Sequence, residues 1–268
     1  MLRVDLVSTE SDWMYGLTYT IKEFPLFTAW GTKLMTHHRE GTNDAGALIS
    51  ILVQDEYKLV KHGIKPGMTA IDLGAHVGAV SLALCTLGAK VVAVELVRLN
   101  AELCRRNLSL NGYKDTLVLD VAVGGVEGTT REVYLADQST ETGRIHHFIG
   151  TVIPHERLAS PCKSAGATAR VTKYTIEEIM DVSCTRHCNF LKMDIEGSEW
   201  EVFESIGPKV LDRIDVISGE LHRLDERTIV HKEDLLPFLH NKFIDVTDSF
   251  ETEYNKPGDV THFVYRHK

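Results

Sequence analysis

The residues with the clearest chemical potential lie in the run AIDLGAHVGAVSLAL and in the VVAVEL that follows it. Asp72 ends an apolar strand pattern, and Gly74 and Gly78 permit a tight turn with close backbone approach. A helix pattern begins at once, presenting free amides and the positive end of its dipole. Such a turn receives a polar or anionic ligand. Its G-x-x-x-G spacing departs from the G-x-G-x-x-G of nicotinamide and flavin dinucleotide sites, which turns the reading away from a pyrophosphate. Glu95 closes the next apolar run, where a carboxylate can accept hydrogen bonds from both hydroxyls of a ribose. Asp72 can orient a ligand's ammonium directly or through water. Together these residues point to an adenosine-type cofactor at the carboxyl ends of parallel strands.

The elements that must hold these residues alternate along the chain. After the turn at Lys65-Pro66-Gly67 come strand MTAIDLG, helix AVSLALCTLG, strand KVVAVEL, an amphipathic stretch from Asn100 to Leu110, and TLVLDVAVG as a third strand. The rhythm resumes with helix YTIEEIMDV, strand NFLKMDI, helix SEWEVFESIG, strand RIDVISGEL and helix KEDLLPFLH, and KFIDVTDSF with HFVYRH closes the sheet as an antiparallel pair. Strands alternating with helices predict an α/β fold: a Rossmann-like three-layer sandwich with a mostly parallel seven-stranded sheet and a terminal antiparallel strand. Residues 1–42, with the strand-like LTYTIKEF and the polar THHREGTND, read as an N-terminal cap segment, and residues 43–268 as the domain. From Asn43 the apolar residues Ile49, Leu52, Val53, Tyr57 and Val60 keep helical spacing up to Gly63, which predicts one helix. From about residue 124 to 169 the alternation breaks, and the segment reads as a hairpin or loop insertion.

A chain of 268 residues with 43% hydrophobic and 25% charged residues is expected to bury one sizeable core. The excess of 38 acidic over 29 basic residues leaves no global positive field, which argues against nucleic acid and anionic membrane as partners. With no basic leader followed by an apolar stretch, and no uncharged apolar run of about 18 residues, a soluble cytoplasmic protein is expected. The five cysteines are too sparse for a disulfide framework and suit a reducing compartment.

Several motifs run in a recognisable order: GTND (Gly41 to Asp44), IDLGAHVG (Ile71 to Gly78), VVAVEL ending at Leu96, TIEEI (Thr175 to Ile179), KMDIEGSEWEVFESIG (Lys192 to Gly207) and ELH (Glu220 to His222). On these the chain resembles the class I S-adenosylmethionine-dependent methyltransferases and, within them, the FkbM family, with DIEGSE the most specific element. The resemblance implies that Asp72, Gly74, Ala75, His76 and Gly78 form the loop around the cofactor's methionine portion and that Glu95 is the ribose ligand. Leu96 would lie against the adenine, with further contacts from Asp120, Val121 and Ala122. Asp194 and Glu196 would end the fourth strand, where cofactor and acceptor meet. His76 stands where the family usually has Asn. The implied activity is O-methylation of a hydroxyl on a small molecule or sugar. The alternatives are N-methylation, methylation of RNA or protein, or a non-catalytic scaffold that binds the same cofactor; NAD binding would indicate a dehydrogenase.

Methyl transfer from a sulfonium is an in-line displacement with a good leaving group, so the protein mainly aligns the nucleophile and removes its proton. Candidates for the base are Asp194, Glu196, Glu220 and His222, of which His222 has the most suitable unperturbed pKa, about 6.5. The acidic residues flanking a histidine could equally hold a divalent metal, although none is assigned. Glu199, Glu201 and Glu204 read as carboxylates complementing a helix start. Cys184 and Cys188 read as a loop and not as a zinc site, His37-His38 and His146-His147 as solvated pairs in segments that could border the acceptor cleft, and Trp200 with Phe203 as core.

Overall fold

Runs that are apolar on both faces belong in the middle of a sheet covered on two sides. In the computed structural model, which describes residues 9–12, 17–125, 130–139, 145–151, 164–222, 237–250 and 260–268, they lie there. In chain order the first elements are β1 (Thr9–Asp12), β2 (Leu17–Phe27), β3 (Lys33–Arg39), α1 (Asp44–Leu52), β4 (Thr69–Leu73), α2 (Ala79–Thr86), β5 (Lys90–Val94), α3 (Arg98–Leu110), β6 (Leu117–Leu119) and β7 (Ala122–Val123). There follow β8 (Thr130–Ser139), β9 (Ile145–Thr151), β10 (Ser164–Tyr174), α4 (Ile176–Val182), β11 (Phe190–Met193), α5 (Glu199–Ser205), α6 (Pro208–Leu211), β12 (Val216–His222), β13 (Phe243–Asp245) and β14 (Val260–His267).

The principal sheet has seven strands in the order β13-β14-β12-β11-β4-β5-β6. Only β14 runs antiparallel to its neighbours β12 and β13. The chain steps outward from β4 to β5 to β6 and then returns to place β11 beside β4, so the strand order switches between β4 and β11. Ligands bind at such a switch, outside the carboxyl ends of the strands. Alternate strand residues feed two cores. Ala70, Val91, Ala93 and Phe190 pack with α1, α2 and α3, whereas Ile71, Val92, Val94, Leu191 and Met193 pack with α4, α5 and α6. The expected three layers and terminal antiparallel strand are present. No helix among the described residues is long and apolar enough to cross a membrane.

Two elements differ from the sequence reading, and in a third the expected hairpin extends into a sheet. The helix expected from Asn43 to Gly63 stops at Leu52, because Asp55 adopts a φ of 51° and its carboxylate takes the amides of Leu59 and Val60, turning the chain locally. The third strand splits around Asp120: β6 stays in the principal sheet, while β7 pairs in parallel with β10. Within the segment expected as a hairpin or loop, β8 pairs antiparallel with β9 and β10, which makes a second sheet of order β7-β10-β8-β9. Most of the helix expected at KEDLLPFLH lies outside the described residues, as does Cys162.

The N-terminal strands form a third sheet, β1-β2-β3, and the THHR expected as a polar stretch is part of β3. Its β3 edge meets α3, whose Asn107 lies one turn before Asn111, the residue that caps the helix. Asn111 accepts the Met35 amide at 3.0 Å and donates to the Met35 carbonyl at 2.7 Å, and Asn107 does the same for His37 at 2.6 and 3.2 Å. Two side-chain amides thus take the place of a neighbouring strand and satisfy an edge that would otherwise be open.

Candidate active site

A cavity of about 480 Å³ opens at the carboxyl ends of β4, β5, β11 and β12. It is walled by Gly74, Ala75 and His76 of the glycine turn, by Glu95, Leu96, Val121 and Ala122, by Asp194, Glu196 and Glu220, and by Tyr57 and residues of α1. The glycine turn touches the end of β11 so closely that a Cβ on Gly74 would lie 1.7 Å from the Asp194 carbonyl oxygen, and its φ of +77° is itself a glycine conformation. His76 also has positive φ, 49°, a region in which Asn and His are both enriched. That shared tolerance explains how His can stand where Asn is expected.

Glu95 is buried at the end of β5, and its carboxylate accepts the amides of His76 at 2.7 Å and Val97 at 2.8 Å. Burial raises its pKa against the pull of these amides. Asn100 Nδ2 also donates to Oε1 at 3.4 Å, so it is Oε2, holding the His76 amide, that keeps a lone pair for a ligand in the cavity.

Asp72 does not reach the cavity. Its carboxylate is fully buried behind the turn, accepts from Ser81 at 2.6 Å and lies 3.4 Å from Lys192 Nζ. The direct contact expected between Asp72 and a ligand ammonium is therefore replaced by an ion pair inside the protein. Lys192, which sequence reading missed, also donates to the carbonyls of Leu73 and Gly74 at 3.1 and 2.7 Å and lies 3.6 Å from Asp194. Its only sequence signal is a charge inside the apolar run FLKM. Gly78 is likewise behind the wall, where a Cβ would meet Cys104 Sγ at 2.8 Å, and Asp120 points outward to Arg105. Of the three residues expected at an adenine, Val121 and Ala122 line the cavity and Asp120 does not.

At the ends of β11 and β12 four carboxylates surround the imidazole of His222, which itself does not line the cavity. His222 Nδ1 lies 3.0 Å from Glu199, and Nε2 lies 3.3 Å from Glu196 and 3.9 Å from both Asp194 and Glu220. Glu199, read as a helix-start carboxylate, does take the amides of Ile195 and Gly197, and it also fixes this ring. Burial alone would lower the His222 pKa, but Glu196, Glu199 and Asp194 hold it well above its ordinary value. The surrounding carboxylates thus favour the protonated form of His222. Asp194 is held low by Lys192, His222 and the Tyr57 hydroxyl despite burial. Burial, together with the charges of Asp194 and Glu199, pushes Glu196 up to about 7, and burial with the charges of Asp194 and Glu196 pushes Glu220 up to about 8. Tyr57, read only as one apolar position of a helix, donates to Asp194 at 3.1 Å and to Glu220 at 3.4 Å. Asp194, Glu220 and His222 offer one ligand atom each within 4.8 Å of one another, a spacing that could hold a divalent ion.

The remaining expectations resolve plainly. His37 pairs with Glu23, and His38 stands edge-on to Phe24, so neither borders the cavity. The side chains of His146 and His147 lie outside the described residues. Cys184 is exposed and Cys188 is buried just before β11, both as free thiols, and Trp200 packs against the second core.

This cluster predicts a sign for stability against pH. Glu196, Glu220 and His222 keep protons in the folded state at pH values where the unfolded chain has released them, so stability falls as pH rises from about 6.5 to 8. The buried His38, His62 and His262, whose pKa values burial lowers, act in the opposite direction only below that window. Melting temperature is expected to drop steadily between about pH 6.5 and 8; a flat or rising profile would contradict the arrangement.

The strand order, the switch-point cavity and the glycine turn followed by an acidic strand end define the class I S-adenosylmethionine-dependent methyltransferase fold. The model of the methyltransferase FkbM domain matches residues 72–245, and the chain belongs to that family. A 70-residue stretch, 26% of the chain, is 34% identical to ribosomal protein L11 methyltransferase of Syntrophomonas wolfei subsp. wolfei (strain DSM 2245B / Goettingen) and spans 22% of that protein's length. Similar solved structures include ribosomal protein L11 methylase from Lactobacillus delbrueckii subsp. bulgaricus, with a TM-score of 0.41, 14% identity, and 80% of this chain and 79% of that one covered. Another is TrmK of M. capricolum in complex with S-adenosylhomocysteine, with a TM-score of 0.44, 6% identity, and coverage of 81% and 70%. The cofactor of the family, S-adenosylmethionine, suits the cavity. Glu95 keeps acceptor capacity, Leu96, Val121 and Ala122 offer an apolar slot, and the acidic ends of β11 and β12 complement a sulfonium.

Proposed function

We propose that this protein transfers the methyl group of S-adenosylmethionine to a hydroxyl of a small molecule or carbohydrate. The observation that carries the reading is the acidic cluster facing the cavity at the ends of β11 and β12, with Glu196 at about 7 and Glu220 at about 8. A hydroxyl must lose its proton as it attacks, and a proton acceptor works best with a pKa near the working pH. The cofactor supplies a methyl group on a sulfonium with a good leaving group. Glu95 holds the ribose, Leu96, Val121 and Ala122 flank the adenine, and the turn from Gly74 to His76 receives the methionine portion. Asp72 and Gly78 support that turn from behind. Glu220 is the proton acceptor, and the charge of His222 beside it balances the surrounding carboxylates.

Tyr57→Phe removes the hydroxyl that donates to Asp194 and Glu220 while keeping the ring. A hydrogen bond to a charged group contributes about 1.5–3 kcal/mol, so kcat is expected to fall by about tenfold or more with S-adenosylhomocysteine affinity unchanged. Unchanged kcat would remove Tyr57 from the site's chemistry.

The function is tested by calorimetric titration with S-adenosylmethionine, S-adenosylhomocysteine and NAD, with and without magnesium, followed by transfer of labelled methyl to polyols, phenols, amines, RNA and protein. Binding of the two sulfur nucleotides and labelling of hydroxyl compounds are expected. Labelling confined to amines, RNA or protein would overturn the hydroxyl assignment, and binding of NAD alone would overturn the class of reaction. A strict magnesium requirement would make Asp194, Glu220 and His222 metal ligands and remove Glu220 as the base.

A further inference from the structure

The N-terminal sheet reaches the cofactor end of the cavity through a buried ion pair. Arg39, the last residue of β3, and Asp44, the first of α1, each have side chains 2% exposed. Arg39 Nε donates to Asp44 Oδ2 at 2.7 Å, Nη2 donates to Oδ1 at 2.8 Å, and the Arg39 amide adds a third bond at 2.9 Å. A buried pair of this kind is a weak source of net stability, since desolvating two charges offsets most of their attraction. Its connections suggest a different purpose.

Two arms leave the pair and meet at Glu95. On one side Asp44 Oδ1 lies 3.5 Å from His76 Nε2, and the His76 amide donates to Glu95 Oε2 at 2.7 Å. On the other, Arg39 Nη2 donates to Asn100 Oδ1 at 2.8 Å, and Asn100 Nδ2 donates to Glu95 Oε1 at 3.4 Å. The circuit joins β3, α1, the glycine turn, the end of β5 and α3. His76, Glu95 and Asn100 line the cavity, whereas Arg39 and Asp44 do not.

We infer that Arg39 and Asp44 are positioning residues for the cofactor: by fixing the His76 ring and the Asn100 amide they orient the Glu95 carboxylate before the ligand arrives, so docking of the N-terminal sheet and cofactor affinity are coupled. The inference rests on the reading of this cavity as the cofactor site. Binding energy then need not be spent on ordering the turn. By reciprocity, bound cofactor must stabilise the docked sheet as much as the docked sheet strengthens binding.

Two experiments test it. In the wild-type protein, saturation with S-adenosylhomocysteine should slow amide hydrogen exchange across residues 33–39 of β3, which do not themselves line the cavity. In the double variant Arg39→Met with Asp44→Asn, which removes both charges at similar volume, the fold should persist while the Kd for S-adenosylhomocysteine rises about tenfold or more. Arg39→Lys, keeping the charge without the bidentate fork, should fall between. A pair with a merely structural role would lower the melting temperature and leave Kd unchanged. Unaltered exchange in β3 overturns the inference even if the double variant fails to fold, as does a folded double variant that binds like the wild type. Failure of the wild-type protein to bind S-adenosylhomocysteine overturns the cofactor reading instead.

Discussion

Glu95→Gln is expected to weaken S-adenosylhomocysteine binding by about a hundredfold, with the melting temperature changed by only a few degrees. The carboxylate lines the cavity beside the glycine turn, already holds the amides of His76 and Val97, and keeps acceptor capacity on Oε2. Glutamine keeps one oxygen for those amides but turns an NH2 toward either the turn or the ribose, where a donor faces a donor. Losing one or two hydrogen bonds to a charged group costs about 1.5–3 kcal/mol each, and a hundredfold corresponds to about 2.7 kcal/mol. Glu95→Ala should abolish measurable binding, at a larger cost in stability because both amides lose their partner. Isothermal calorimetry with S-adenosylhomocysteine decides the matter. A Glu95→Gln protein that binds within threefold of wild type would show that the ribose is held elsewhere.

Glu220→Gln is expected to lower kcat by about 10²- to 10⁴-fold, the usual contribution of a positioned general base, while leaving the Kd for S-adenosylhomocysteine within about threefold. The residue lies at the cavity wall with its pKa pushed up to about 8, and glutamine preserves its volume and its ability to accept from Tyr57. The pH profile separates a base from a bystander. In the wild type kcat should rise as Glu220 loses its proton and level off above about pH 8; the variant's residual rate should lack that limb. Loss of activity with the limb intact would move the role to Glu196, whose pKa near 7 would then set the profile. Unchanged kcat in variants of both residues would falsify a carboxylate base at this rim.

Much of this arrangement is legible along the chain because its determinants are local. The apolar runs of β4 and β5, the turn from Gly74 to Gly78 and the acid at Glu95 are consecutive, and period and turn chemistry name them without knowledge of any partner. The switch in strand order between β4 and β11 is a different matter, because alternation leaves the order of pairing open and contacts far apart along the chain decide it. Local reading failed where the deciding partner is distant. Tyr57 meets Asp194 and Glu220 across separations of 137 and 163 residues, so its helical spacing said nothing of its hydroxyl. Asp72 looked free because Lys192 was read as one more residue of a strand. His222 looked like a base at its ordinary pKa because four carboxylates converge on it only after β11, α5 and β12 have packed.

The sequence by itself determined the fold class and the family, and it named Gly74, Ala75, His76, Glu95 and Leu96, which line the cavity. Those depend on backbone conformation and burial period, which neighbouring residues set. Tertiary structure decided in which direction the clustered carboxylates shift, which faces of the turn are open, and that Arg39 and Asp44 connect to Glu95 through His76 and Asn100. Those are properties of charges brought together in a low-dielectric interior, where interaction energy depends on spatial distance and burial and not on separation along the chain.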